Sequence, residues 1–583
     1  MRATHLAAGL AAALAFLLPA AGCASVPSAG PVMHRQADAG DDDTYAVVPP
    51  APLEGAAPED LVRYFLLAAG SGSSAVTGYD TAQLYLTADR QESWVPTENV
   101  VVYRGSLNFS LTTDGPDAAD VAVSVDAVAR VDAHGMYTEA SNAAPFTTNF
   151  SLTRDADDQW RIDELEDGIL VPERLFANQF RATRLYFPSR DHEAWVPDQR
   201  WFPRNFWRTS AVVELLNGPP PWLQGAVDTA APEGTPLAVP TVPEASDGTV
   251  TVRLGGDIGE LGESAHGLLL AQLKETLSDG EVRPEIALYA GDARLNEPSI
   301  DKPSLPATRG TPVALSGNEL FTVSGDRLTD FERPVHLENL DPTAIALGPG
   351  AAPIVVRDGR SRIVRVADVG NATGQQELLA GTRLAEPSVD RHGYVWSSDD
   401  LGKKNFDPAE DAGELLVVHE SGTRHDRAPD WLSGRQVIGV RVAPDGTRVA
   451  VVSRRAGTTS VHVTAVKRGE NGEPEQLTTP LEVAASVPDV VSAQWSGQTS
   501  LLLLTRDDDG TTAMYEAGVG GLPDDSGSTE SVQGLTDVKT LASGVTDAGT
   551  ALALTHRGDL YQEQTTGWGE PIAENIVAVA YPG

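Results

Sequence analysis

Apolar positions take up helical spacing from Pro58 onward. Leu61, Tyr64, Phe65 and Ala68 stand at i, i+3, i+4 and i+7, as on one buried helix face, and Pro58 suits the first helical position. From Asn99 to about Val171 the period shortens. Val100-Val101-Val102, Phe109-Ser110-Leu111, Val121 to Val125 and Phe146 to Phe150 predict successive strands. An acidic turn at Asp155 to Asp158 then brings the chain back through Trp160-Arg161-Ile162-Asp163 as a hairpin. Farther on, Leu185 to Pro188 and Trp195 to Pro197 predict strands, and Ser210 a cap for a helix carrying Val212, Leu215 and Leu216. Asn217-Gly218-Pro219 ends that helix. Pro236 to Val239 and Thr249 to Leu254 predict a strand pair. Leu261, Ala265, Leu268, Leu269, Leu273 and Leu277 form the apolar stripe of a long helix, and Glu285 to Tyr289 returns as a strand.

Beyond about Gly310 the sequence repeats. Thr343-Ala344-Ile345-Ala346-Leu347-Gly348-Pro349-Gly350, Ile438 to Gly446 and Ile576 to Gly583 are variants of one pattern, with weaker copies at Pro387 to Gly393 and Val491 to Gly497. Each copy runs into a turn, and where chain follows it, a β-rich stretch comes next, as in Thr447 to Ser453 and Thr499 to Thr505. A period of about 43 to 53 residues suits a four-stranded propeller blade. Val313 to Phe331 reads as a blade lacking its innermost strand, which the copy at 576–583 would supply. Five full repeats and this composite give about six blades.

The expected architecture is therefore multidomain. An α+β domain of the NTF2-like or cystatin-like kind, a helix on a curved antiparallel sheet, spans residues 53–183. A small α/β domain follows over 184–305 and an all-β propeller over 306–583. Residues 23–52, rich in Pro, Ala, Gly and Asp, read as a tether.

Composition narrows the function classes. The chain has 583 residues, 82 Asp+Glu against 43 Lys+Arg, and a formal charge of −39, which disfavours nucleic acid and direct adsorption to an anionic bilayer. Only six of the cations are lysines, as in proteins of GC-rich genomes. The single cysteine rules out an intrachain disulfide and any multi-thiolate metal site. Residues 1–22 carry Arg2, an apolar run through Leu18 and small residues before Cys23, as in a secretory signal. Ala20-Ala21-Gly22-Cys23 resembles the lipobox of bacterial lipoproteins, with Ala20 where Leu is usual. That resemblance implies a diacylglyceryl anchor on Cys23. The alternatives are a secreted protein with a free thiol, or an uncleaved helix whose apolar run, about 16 residues, is shorter than the roughly 20 needed to span a bilayer.

Candidate chemistry is sparse. The eleven histidines include no pair at i, i+2 or i, i+4, so no paired-imidazole metal site is expected, and no cofactor either. Gly348-Pro349-Gly350 follows no βαβ pattern, and no G-x-S-x-G elbow occurs. Asp163-Glu164-Leu165-Glu166-Asp167 could supply a glycosidase carboxylate pair but reads better as a solvated edge. Asp507-Asp508-Asp509-Gly510 reads as a hairpin turn rather than a calcium loop, because Thr505 stands where the first Asp should be. Trp195, Trp201, Trp207 and Trp222 cluster among Pro and Arg, which suits domain packing or a partner or glycan platform. No catalytic site is expected.

Glu214 to Pro219, Pro232 to Leu237, Val250 to Leu254 and Gln272 to Leu277 resemble the GerMN domain of the germination protein GerM. With the lipobox, the NTF2-like domain and the propeller in this order, the whole chain resembles the actinobacterial LpqB lipoproteins. The resemblance implies an extracytoplasmic accessory, anchored on the outer face of the cytoplasmic membrane. Such a protein binds the sensor kinase's outer domain in the MtrA/MtrB two-component system and influences cell division and cell-wall homeostasis. The rival reading is a cell-wall glycan-binding protein or glycan hydrolase.

Overall fold

A computed structural model describes residues 51–583 except 71–78, 114, 281, 370–373, 404–405, 524–530, 533, 546–549 and 565–566. Cys23, the signal segment and nearly all of the tether lie outside the described residues. The chain from Val47 onward forms one unit.

In the first region, helix α1 (Pro58–Gly70) buries Leu61, Val62, Phe65, Leu66, Ala68 and Ala69, while Tyr64 is only half-buried at the margin of the face. Two short helices, α2 (Asp80–Gln83) and α3 (Ala88–Ser93), lead into β1 (Asn99–Thr113), β2 (Ala118–Asp132), β3 (Tyr137–Arg154), β4 (Trp160–Glu164) and β5 (Ile169–Pro172). Their order in the sheet is β4-β3-β2-β1-β5. Alternate residues of β2, from Ala119 to Val131, are buried, the period-2 signature of a sheet with one face on a core. Two expectations are corrected. Val100–Val102 and Phe109–Leu111 belong to one strand, because the pairing with β2 resumes at Asn108↔Ser124 after an irregularity. The sheet is also not wholly antiparallel: after β4 at one edge the chain crosses to the other, so β5 runs parallel to β1, Val101 opposite Leu170.

Helix α4 (Glu173–Gln179) leads into the middle region. There β6 (Phe180–Pro188) and β7 (Trp195–Pro203) form a two-stranded antiparallel ribbon. Helix α5 (Trp207–Leu216), strand β8 (Val250–Leu254), helix α6 (Glu263–Thr276), strand β9 (Ile286–Ala290) and strand β10 (Ala293–Arg294) follow. Val212, Leu215 and Leu216 are buried as expected, but α5 starts at Trp207, so Ser210 lies inside the helix and does not cap it. Pro236 to Val239 is no strand. Leu237 makes one bridge to Leu254, and β8 instead pairs parallel with β9, the α6 crossover bringing the two side by side.

The remainder is a ring of six blades. Blade one is β11 (Val313–Ser316), β12 (Glu319–Ser324) and β13 (Arg327–Asp330), completed on its inner edge by β34 (Ile576–Ala580), with Ala314 opposite Val579. Blade two holds β14 (Pro342–Leu347), β15 (Ile354–Asp358), β16 (Arg362–Val366) and β17 (Gln375–Ala380). Blade three has β18 (Ser388–Val389), β19 (Tyr394–Ser397) and β20 (Leu416–His419), with Arg424 and Arg427 bridging its outer edge. Blade four is β21 (Gln436–Val442), β22 (Arg448–Arg455), β23 (Thr458–Arg468) and β24 (Pro474–Leu477), with β25 (Leu481–Val483) on β23. Blade five is β26 (Val490–Trp495), β27 (Ser500–Arg506), β28 (Thr512–Gly518) and β29 (Ser531–Val532). Blade six is β30 (Val538–Ala542), β31 (Leu552–Thr555), β32 (Leu560–Gln564) and β33 (Gly567–Trp568). Every repeat copy found in the sequence falls on an inner strand. The remaining inner strand, β30, is followed by Ser543-Gly544, as β26 is by Ser496-Gly497.

Candidate functional site

The sequence of β7, Trp195-Val196-Pro197-Asp198-Gln199-Arg200-Trp201-Phe202, has no alternation of polar and apolar positions, yet all eight residues are buried. A two-stranded ribbon buried on both faces must be covered by other regions, and it is. One apolar core runs from Leu185, Phe187 and Val196 of the ribbon through α5 and α6 into Ala450, Val463 and Leu501 of the propeller. Trp201 and Phe180 belong to the core of the first region instead. The ribbon is thus shared by all three regions.

Most polar side chains of the ribbon find partners, although the Thr183 hydroxyl and the Arg181 Nε are buried without one. Arg200 donates through Nε to Asp198 at 2.6 Å and through its terminal nitrogen to the His134 carbonyl, in the β2–β3 turn, at 2.7 Å. The Trp222 indole donates to the other Asp198 oxygen at 3.1 Å. Burial pushes the Asp198 carboxyl above its ordinary range, against the opposing pull of Arg200 and Trp222. Across the seam, Arg448 of β22 is wholly buried. It donates to Asp445 at 2.8 Å, reaches the Pro197 carbonyl at 3.4 Å, and lies over the Trp495 ring. Gln199 accepts from the Thr499 hydroxyl at 3.0 Å and donates to the Leu522 carbonyl at 2.9 Å. Tyr186, its phenol pushed up to about 12 by burial, donates to Gln498 at 2.7 Å.

At the ribbon's tip, Arg391 pairs with Asp191 at 2.6 Å and Glu193 at 2.8 Å. Burial favours a raised Asp191 pKa, but the Ser189 hydroxyl, Arg391 and the Glu193 amide outweigh it and hold the carboxyl at about 2. His392 beside it is held down to about 4 by burial, with Arg468 and Arg391 adding repulsion. Asp390 and Asp445 occupy the same turn of the repeat. Both are buried, the first taking Arg468 at 2.6 Å, so these aspartates pin turns to arginines rather than facing water.

All four tryptophans of the cluster are buried. Trp195 packs on Tyr186 and Ala271, Trp207 lies under the Arg181 and Arg208 guanidiniums, and Trp222 serves Asp198. Trp201 stands at the three-way junction. Its ring meets Tyr137 and Phe176, and its indole donates to the Gly520 carbonyl at 3.0 Å. Gly520 and Gly521 both have positive φ, and a Cβ on Gly520 would sit 2.7 Å from the Gln199 carbonyl oxygen. A Cβ on Gly521 would overlap the Trp201 indole nitrogen. Only glycine admits this approach.

The sequence singled out the tryptophans but missed Asp198, Arg200, Asp445, Arg448 and the glycine pair. For Asp198 and Arg200 the loss of alternation along β7 was the one local signal. The acidic run 163–167 is spread along an edge: Asp163 accepts from Thr87, and Asp167 accepts from the Val95 amide beside Arg90. Asp507 closes a β27–β28 hairpin turn by accepting from the Thr511 amide at 2.8 Å. Among the described residues no group of three or more His, Cys, Asp or Glu could hold a metal ion.

Three family models match the chain. Residues 51–177 match the lipoprotein LpqB N-terminal domain, 184–289 a domain described as Germane, of sporulation and spore germination, and 318–574 the lipoprotein LpqB beta-propeller domain. The lipoprotein LpqB of Thermobifida fusca is 29% identical, covering 93% of this chain and 94% of its own length. That of Bifidobacterium longum is 25% identical, covering 88% of each. Among solved structures, the Cps50 (Swd1) beta-propeller domain of Myceliophteria thermophila is 10% identical with a TM-score of 0.27, covering 45% of this chain and 87% of its own.

Proposed function

We propose, from the premise that this chain belongs to the LpqB lipoprotein family, that it is a non-catalytic accessory of a sensor histidine kinase. It would act in a two-component system of the MtrA/MtrB type that influences cell division and cell-wall homeostasis, from the outer face of the cytoplasmic membrane. Membership in a lipoprotein family implies a membrane anchor, and Cys23 is the residue that would carry it. No helix of the described residues is long and apolar enough to cross a membrane.

The observation that supports the reading is the shared ribbon. With β6 and β7 built into the two cores that between them join the three regions, the regions cannot swing independently, and whatever faces they present are held in fixed relation. A fixed body tied to the bilayer by two acyl chains gains partner affinity from restriction to the surface. That suits a protein that positions or biases a membrane receptor.

The test is a crosslinking pull-down from membranes of the native organism, with the tagged full chain as bait. Enrichment of a sensor-kinase outer domain above other membrane proteins is the expected result. Recovery of wall glycan and wall enzymes alone overturns it in favour of the glycan reading. Replacing Cys23 by Ala should abolish acyl labelling and release the protein from the membrane fraction.

A further inference from the structure

The propeller meets the ribbon with one face. The turns joining its inner strands to the second strands, at Asp390–His392, Asp445–Thr447 and Gln498–Thr499, supply the contacts described above. In a meander of antiparallel strands the next turns lie on the opposite face, and there the channel opens into a cavity of about 190 Å³. Six cations line it: Arg357 and Arg360 of blade two, Arg383 ahead of blade three, Arg441 of blade four, Arg506 of blade five and Lys539 of blade six. Glu386 is the one carboxylate in the lining.

That carboxylate is already engaged, by Arg441 at 2.9 Å. Among the described residues the other five cations make no ion pair. Arg357 donates only to neutral oxygens, those of the Thr343 hydroxyl and the Leu384 carbonyl, and Lys539 donates to the Val577 carbonyl at 2.7 Å. The Arg506 Nε is buried with no partner. Arg360 and Arg383 are exposed at the rim. Burial lowers the pKa of both Lys539 and Arg357, and neighbouring arginines deepen the effect against the pull of Glu386. Like charges gathered in a partly desolvated hollow repel one another. In a chain of net charge −39 there are carboxylates enough to neutralise them, and none but Glu386 lines the hollow. Guanidinium forks fit the tetrahedral oxygens of phosphate.

We propose that this mouth of the propeller channel is a binding site for a phosphate group, carried by a small soluble ligand or by a lipid headgroup. The site is independent of the sensor-kinase reading.

Titration of the full-length protein with inorganic pyrophosphate, followed by calorimetry and thermal shift, tests it. Saturable binding that weakens with added salt is expected, with sulfate at matched ionic strength as the control. The Arg360→Ala/Arg383→Ala double variant, altered only at exposed positions, should keep its melting temperature in the absence of ligand and bind about tenfold more weakly or worse. Arg360→Lys/Arg383→Lys should retain part of the affinity. A second arm uses phosphatidylglycerol vesicles against pure phosphatidylcholine vesicles, with the Cys23→Ala protein so that the anchor does not contribute. Binding to the anionic vesicles alone, lost in the Ala double variant, assigns the phosphate to a headgroup. Absence of saturable binding to either probe, or equal binding by wild type and the Ala variant, overturns the proposal.

Discussion

The two faces of the propeller treat charge in opposite ways. On the ribbon side the buried arginines meet carboxylates, Arg448 with Asp445, Arg468 with Asp390, Arg200 with Asp198, and their further hydrogen bonds go to backbone carbonyls, although one terminal nitrogen of Arg448 is buried without a partner. On the other side five cations share a hollow without a carboxylate of their own. A face that is closed for the life of the fold has to be neutral within itself, since a buried charge without a counter-charge costs several kcal/mol. A face open to solvent can leave its charges uncompensated and await a ligand. Pairing thus separates joints from candidate sites, even where the residue types are the same.

Substitutions at matched positions sharpen that contrast. The largest effect is expected at Arg448→Met, which strands Asp445 in the seam and should lower unfolding free energy by about 3–5 kcal/mol in denaturant titration. A loss as small as that at the open mouth would mean the seam charges are solvated after all. Trp201→Ala removes a buried ring of the first core that also bonds the propeller and should cost about 3–5 kcal/mol, with proteolysis separating residues 51–177 from the remainder. Gly521→Ala combines a positive φ with overlap on the indole, and a loss of about 1–3 kcal/mol is expected.

Acid should act by steps, at His392 on the closed face and at His462 of β23, which lies against the Trp431 ring. His392 and His462 are held to about 4 by burial, whereas an unfolded histidine titrates near 6.5, so the unfolded chain binds more protons between those values. Stability should therefore decline as pH falls from about 6.5 to 4. His462→Phe should flatten that decline in melting temperature against pH. The contribution of Asp191, depressed to about 2, is present above about 3.9 and should be lost only as pH falls further toward 2. Smallest of all, Arg383→Ala at the open rim should change stability by no more than about 0.5 kcal/mol.

Regular elements were legible where local pattern and tertiary role agree. Helix α1 and the alternation of β2 each face a single core, so their periods survive in the sequence. The inner strands were legible because one short motif recurs in five of the six. Elements whose neighbours are distant in sequence were misread. Pro236 to Val239 looks like a strand, but β8 is taken by β9. The predicted strand stops at Pro197, short of Asp198, Gln199 and Arg200, and the ribbon is buried there because Thr499, Leu522 and Arg448 come to meet it from far along the chain. No window of neighbouring residues holds that information. The cations of the mouth, drawn from five blades, were invisible for the same reason.

The pairing of β34 with β11 has a consequence in time. Residues 313–316 acquire their inner neighbour only when residues 576–580 arrive, so the ring stays open along one seam until nearly the whole propeller sequence is available. Contacts of such separation form late and slowly. A chain stalled or clipped before Ile576 would carry an unpatched β11 edge, open to proteases and to pairing with a second chain. Closure thus ties the covering of the β11 edge to the arrival of residues 576–580.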